Sequence, residues 1–259
     1  MWFPQTDEIG NPVSIYALME GPIRKWKNAQ LDWAFHFAQL ASLDRDSSAL
    51  SNLNSYLAKW ISINQPYSGP NWKCGQEASI RVMHLACAAL ILNQIENTSQ
   101  PLLDLIEAHL QRISPTILYA VAQSNNHATS EASALFIGGD WLARNGKPQG
   151  QKWREQGRKW LENRAASLIM RDGTFSQYST NYHRVMLDAY SIAEIWRYKN
   201  NLPQFSNTLR SRLQAAINWL FELTDDEHGD VPNLGANDGA RLLPLTNTDY
   251  RDFRPSVQL

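Results

Sequence analysis

The sequence predicts an all-α protein, on three observations. Apolar residues recur at i, i+3, i+4 spacing: Leu102, Leu105, Ile106, His109, Leu110 and Ile113 form one stripe, and Val185, Leu187, Tyr190, Ile192, Ile195 and Trp196 another. No run sustains period-2 alternation with β-branched residues, so no strand is expected. The composition is globular, with 43% hydrophobic and 19% charged residues in 259. That length is enough to bury a substantial core.

Helices are predicted over roughly 27–43, 47–63, 76–96, 102–113, 115–123, 127–145, 151–170, 182–200 and 204–223. Pro115 is expected to open its helix with Ser114 as cap, and Pro203 to open the last. Thr180 or Asn181 is expected to cap the helix carrying Tyr182. Ala132, Ala134, Gly138 and Gly139 are small, so helix 127–145 should pack closely at the centre of the fold. Helices start about every 25 residues, so each antiparallel hairpin takes about 50. Such hairpins can curl into a toroid, stack as a solenoid or form an irregular bundle. Residues 1–224 read as the helical domain. Residues 225–259, rich in Gly, Asn, Asp and Pro, read as loop and linker towards a further domain.

A net charge of -1 and a pI near 6.6 give no global steering to nucleic acid or anionic membrane. The longest apolar run, L-A-C-A-A-L-I-L, is far short of the ~20 residues that span a bilayer. The N-terminus M-W-F-P-Q-T-D-E-I lacks the basic and apolar regions of a signal peptide, so either the protein is cytoplasmic or an export signal lies upstream. Cys74 and Cys87 provide neither a disulfide framework nor C-x2-C zinc spacing, and Cys87 reads as a buried thiol. Ten tryptophans suit core packing first and sugar stacking second.

Four segments carry chemistry. S-N-N-H-A-T-S-E-A places Asn125, Asn126 and His127 at a helix entry, where capping is the plain reading. F-S-Q-Y-S-T-N-Y-H-R places Gln177 and Tyr178 in a loop and Tyr182 and His183 at the next helix entry. An amide, a phenol and imidazoles can bind a carboxylate, remove a weakly acidic C–H proton beside it and protonate a departing oxygen. In W-K-C-G-Q-E-A-S-I-R, Glu77 and Arg81 stand i, i+4, suited to a structural ion pair or to Arg81 facing a sugar carboxylate. The loop His228–Arg241 lacks EF-hand spacing, so no metal is expected and a loop packed over a cleft is. Asp172, Asp188 and Glu131 leave a two-carboxylate glycoside hydrolase open.

Taken together, the segments G-P-N-W-K-C-G-Q-E-A-S-I-R-V, S-N-N-H-A-T-S-E-A, D-G-T-F-S-Q-Y-S-T-N-Y-H-R and G-A-N-D-G-A-R-L-L-P-L resemble the heparinase II/III family of polysaccharide lyases and the similarly built oligoalginate lyases, over roughly residues 70–259. The resemblance implies an α/α toroid, here an incomplete ring of hairpins, followed by a β-sandwich domain that is absent from this chain. It implies a periplasmic setting, no cofactor, and an acidic polysaccharide or oligosaccharide as substrate. By motif, Asn126 matches the amide that neutralises a uronate carboxylate, His127 the adjacent imidazole, and Tyr182 the tyrosine that protonates the leaving oxygen and can act as base. Trp72, Arg81, Asn125, Gln177, Tyr178 and His183 are then expected at the substrate. His127 or His183 is expected to lend Tyr182 positive charge. Such a domain could be folded yet inactive by itself, or could bind an acidic glycan without cleaving it.

Overall fold

In the computed structural model, residues 30–244 and 248–258 are described. Residues 27–29 of the first predicted helix, and the N-terminal segment before them, lie outside the described residues. So does the end of the G-A-N-D-G-A-R-L-L-P-L segment. The described residues form α1 (Asp32–Leu43), α2 (Ser47–Ile63), α3 (Gly75–Ile91), α4 (Gln100–Ile113), α5 (Ile117–Ala122), α6 (Asn126–Arg144), α7 (Gln149–Leu168), α8 (Thr180–Lys199), α9 (Asn207–Leu223) and α10 (Arg254–Gln258). Among the described residues the only extended pairing is an isolated antiparallel bridge between Ile169 and Phe175. The protein is all-α.

Among the described residues four hairpins, α1/α2, α3/α4, α6/α7 and α8/α9, build two layers. The first helices of the hairpins, α1, α3, α6 and α8, contact one another in that order, and each second helix covers its own partner. This is the arrangement expected of an arc of an α/α toroid. The layers differ as their sequences demand. Nearly every residue of α3 and α6 is buried, which requires helices that are small or apolar all round. α7 buries one stripe only, Gly150, Trp153, Gly157, Leu161, Arg164, Ala165 and Leu168, and shows charge on its other face.

The α6–α7 contact is made backbone to backbone. A Cβ on Gly157 would lie 2.3 Å from the Phe136 nitrogen, and one on Gly139 would lie 2.4 Å from the Arg154 nitrogen. Asp140, 1% exposed, bridges three helices. It accepts from Arg144 (2.8 Å), from Arg154 of α7 (3.0 Å) and from the indole of Trp196 on α8 (2.9 Å).

Several predicted boundaries move, each for a visible reason. α3 ends at Ile91 because Asn93 turns left-handed (φ 54°) and the Gln94 N–H closes on the Ala89 carbonyl. Ser114 does not cap a helix. It sits in a 3-10 turn, Ser114–Thr116, and its hydroxyl donates to Gln156 (2.7 Å). Pro203 does not open α9, because Ser206 supplies the hydroxyl that accepts from the Leu209 N–H. The Pro203 carbonyl is instead taken by Arg158 (2.8 Å). Ser179, not Thr180 or Asn181, caps α8, accepting from the Tyr182 N–H at 3.1 Å.

Residues 225–244 and 248–258 fold back onto the helices. The Leu242 carbonyl lies 2.7 Å from His84 Nε2. Arg184 of α8 donates to the Tyr250 and Ala240 carbonyls and stacks on Tyr250 and Phe253.

Candidate active site

The N-terminal ends of α1, α3, α6 and α8 converge on one cleft of about 310 Å³. α1 contributes Asp32, α3 contributes Gln76, Glu77 and Ile80, α6 contributes Asn126 and His127, and α8 contributes Tyr182 and Val185. The loop 238–244 and Tyr250 close the side. Four helix starts turn the positive ends of their dipoles to the cleft, an environment suited to an anion.

Two loops are locked together to present Asn126. Asn125 caps α6, its Oδ1 accepting from the His127 N–H at 2.9 Å. The Asn126 N–H donates to Gln177 Oε1 (2.9 Å), and the Ser176 hydroxyl donates to the Ser124 carbonyl (3.0 Å). Ser124 (φ 52°) and Tyr178 (φ 49°) both hold left-handed backbone, strain of the kind found where a loop is shaped for a task. Asn126 is 2% exposed, and His127 is half-buried.

Tyr182 donates its hydroxyl hydrogen to Asp238 Oδ2 at 2.8 Å. Burial first, and the Asp238 carboxylate second, push the phenol up to about 12. The positive charge expected to lower it is not there. Burial depresses the basicity of His127, so its ring is held neutral. His183 points away from the cleft. It is 1% exposed, with Nε2 2.9 Å from the Ala216 carbonyl and its ring stacked on Trp219.

Arg81 and Trp72 also lie in the core, not at the cleft. The Arg81 guanidinium, fully buried, donates to His109 Nε2 (2.9 Å) and the Asn71 carbonyl (2.6 Å) between the rings of Trp60 and Trp72. Trp72 is 2% exposed and donates to the Asn64 carbonyl. Gln177 and Asn125 act on the backbone of the site as described, and Tyr178 is exposed outside the cleft lining. The structure thus brings Asn126, His127 and Tyr182 together and leaves Arg81, Trp72 and His183 out.

Asp238, Tyr250, Asp32 and Cys74 also line the cleft, and none of them was a site candidate. The N-D-G turn was the signal for Asp238, since Asp before Gly in a polar loop marks a fixed carboxylate. Asp172, Asp188 and Glu131 are not among the cleft-lining residues: Asp172 caps its own turn at the Thr174 N–H (2.9 Å), and the other two are buried. Among the described residues no group of three or more His, Cys, Asp or Glu side chains could hold a metal ion, and no helix is long and apolar enough to cross a membrane.

The model of the heparinase II/III N-terminus matches residues 44–238, three quarters of the chain and every catalytic candidate. The chain belongs to the heparinase II/III family. Its fold is shared with the crystal structure of heparinase III (TM-score 0.59, 19% identity, 80% of this chain and 32% of that one). It is likewise similar to heparan sulfate lyase HepC from Pedobacter heparinus (TM-score 0.56, 17% identity, 81% of this chain and 33% of that one). The chain therefore spans about a third of the length of the structures it matches. None of the curated proteins matches it.

Proposed function

We propose that the cleft is the helical wall of a polysaccharide lyase site that cleaves a uronic-acid-containing polymer by β-elimination. The convergence of Asn126, His127 and Tyr182 at four helix N-termini carries this reading. The C5 proton beside an ionised carboxylate is very weakly acidic. Its removal becomes feasible when the carboxylate charge is neutralised as the enediolate-like intermediate forms. The Asn126 side-chain amide and the helix dipoles supply that neutralisation, and one good donor contributes about 3–4 kcal/mol at such a site. Tyr182, protonated across the physiological range, protonates the leaving glycosidic oxygen. Neutral His127 lies beside Asn126 on α6 as a further hydrogen-bonding group at the carboxylate.

Family membership supports the reaction class, and relatives named for heparin and heparan sulfate support a glycosaminoglycan as first substrate to try. In this proposal a strand-rich domain C-terminal to the helices completes the cleft with a histidine, as the sequence resemblance implies. The test is the ultraviolet absorbance of the unsaturated product from heparan sulfate and from alginate. Tyr182→Phe is expected to lower turnover by at least about 100-fold, and Asn126→Ala to do the same. Saturated products, or full turnover in Tyr182→Phe, would reject the lyase reading.

A further inference from the structure

We propose that Asp238 is a positioning residue that stores the phenolic proton of Tyr182 during turnover. The inference rests on the lyase reading above for its chemistry, and on the loop 233–241 for its geometry. The Asp238 carboxylate is fixed before Tyr182 reaches it. Its Oδ1 accepts from the Ala240 N–H (3.0 Å) and from the Asn181 side chain (3.2 Å), which leaves Oδ2 for the Tyr182 hydroxyl at 2.8 Å. The loop itself is tied to the start of α8. The Ser179 hydroxyl donates to the Ala236 carbonyl (2.6 Å), and the Thr180 N–H donates to the Leu234 carbonyl (3.2 Å). The Tyr250 hydroxyl lies 2.7 Å from both Asn181 Oδ1 and Asn237 Oδ1. Three elements therefore hold one carboxylate oxygen against the candidate catalytic phenol.

A phenol has one hydrogen. With that hydrogen given to Asp238, the oxygen meets a substrate with its lone pairs and acts first as an acceptor. The C5 proton moves to the Tyr182 oxygen as the phenolic hydrogen moves to Asp238 Oδ2. The electron pair of the C5–H bond becomes the C4=C5 double bond, and the C4–O4 bond breaks with its pair on O4. Tyr182 then gives a proton to O4 and recovers its own from Asp238. Both residues end as they began, and one proton has passed from C5 to O4. No phenolate is formed at any point. This removes the difficulty that the phenol is held up near 12. The other ionisable groups lining the cleft are Asp32 of α1, Cys74 just before α3, Glu77 of α3, His127 of α6, Arg241 of the loop and Tyr250. None of them is hydrogen-bonded to the Tyr182 hydroxyl, and neutral His127 brings no charge to it.

The full chain labelled with ring-carbon tyrosine gives a direct test by NMR, the Tyr182 resonance being the one lost in Tyr182→Phe. Asp238→Asn keeps an acceptor in place but cannot take up the proton. It is expected to lower the Tyr182 titration by roughly a unit towards the ordinary value near 10, and Asp238→Glu to restore it. An unchanged titration would overturn the pairing whether or not any polymer is cleaved. On heparan sulfate and alginate, Asp238→Asn is expected to lower kcat about 100-fold with KM little moved, and Asp238→Glu to recover part of it. A normal kcat in Asp238→Asn despite a shifted titration would overturn proton storage. A wild-type protein that carries the C-terminal domain and is inert on both polymers would count against the lyase reading, and the titration would still decide the pairing.

Discussion

Gly235 shows how a residue remote from chemistry can decide the site. It holds φ +68°, and a Cβ there would stand 2.2 Å from the Tyr178 carbonyl oxygen. Only glycine lets the loop 233–241 come this close to the start of α8, and that approach delivers Asp238 to Tyr182. Gly235→Ala is expected to cost about 1–3 kcal/mol of stability and to weaken the Tyr182–Asp238 contact. Urea denaturation with the tyrosine titration checks both; a variant that matches wild type in each would refute the steric argument. At this scale the sequence was legible where an amide or phenol stood at a helix start, because a helix start fixes where its first residues face. It was illegible for Arg81, Trp72 and His183. Spacing places each on a helix or turn, but only the packing of neighbouring helices decides that Arg81 meets Trp60 and His109 rather than substrate. Asp238 was missed because its partner, Tyr182, is distant in sequence.

At the scale of elements, helix existence and order were legible from apolar spacing, and so was the close packing of α6 from its Ala and Gly residues. Boundaries were less so, because a cap depends on which hydroxyl turns inward: Ser179 and Ser206 do, and Thr180 and Ser114 bond elsewhere. The glycines of α7 carry a consequence of their own. Gly157 meets the Phe136 nitrogen and the Ala132 carbonyl, both backbone and unable to yield. Gly157→Ala therefore has to push α7 off α6, near the middle of the helix that begins with Asn126. A loss of roughly 1–3 kcal/mol is expected, read as a lower Tm. An unchanged Tm would mean that the two helices slide apart without penalty, against the tight contact described.

For the molecule as a whole, buried ionisable groups set the pH range in which the fold is stable. Burial holds His183 down to about 4, and burial with the Arg81 charge holds His109 down to about 3. Both stay neutral in the folded chain while the unfolded chain protonates below about 6.5. Their contribution is complete above that value and is lost as pH falls towards 4 and 3. Two carboxyls act in the opposite direction. Burial raises Glu131, 4% exposed beside Gly75, to about 8, and raises Asp188 to about 6. Each stays protonated when the unfolded chain has ionised, so stability falls as pH rises through the interval between the two values. From about 4.5 to 6 the two histidines and the two acids nearly cancel. From 6.5 to 8 Glu131 is the one of these four groups that still contributes, with a slope of about 1.4 kcal/mol per pH unit, or about 2 kcal/mol in all. Urea unfolding across this range is therefore expected to show a plateau on the acid side of neutrality and a decline towards pH 8. Glu131→Gln keeps the shape of the side chain and removes its ionisation, so the decline should vanish in that variant. A decline that persists in Glu131→Gln would show that another group carries it and would refute the assignment to the buried Glu131 carboxyl.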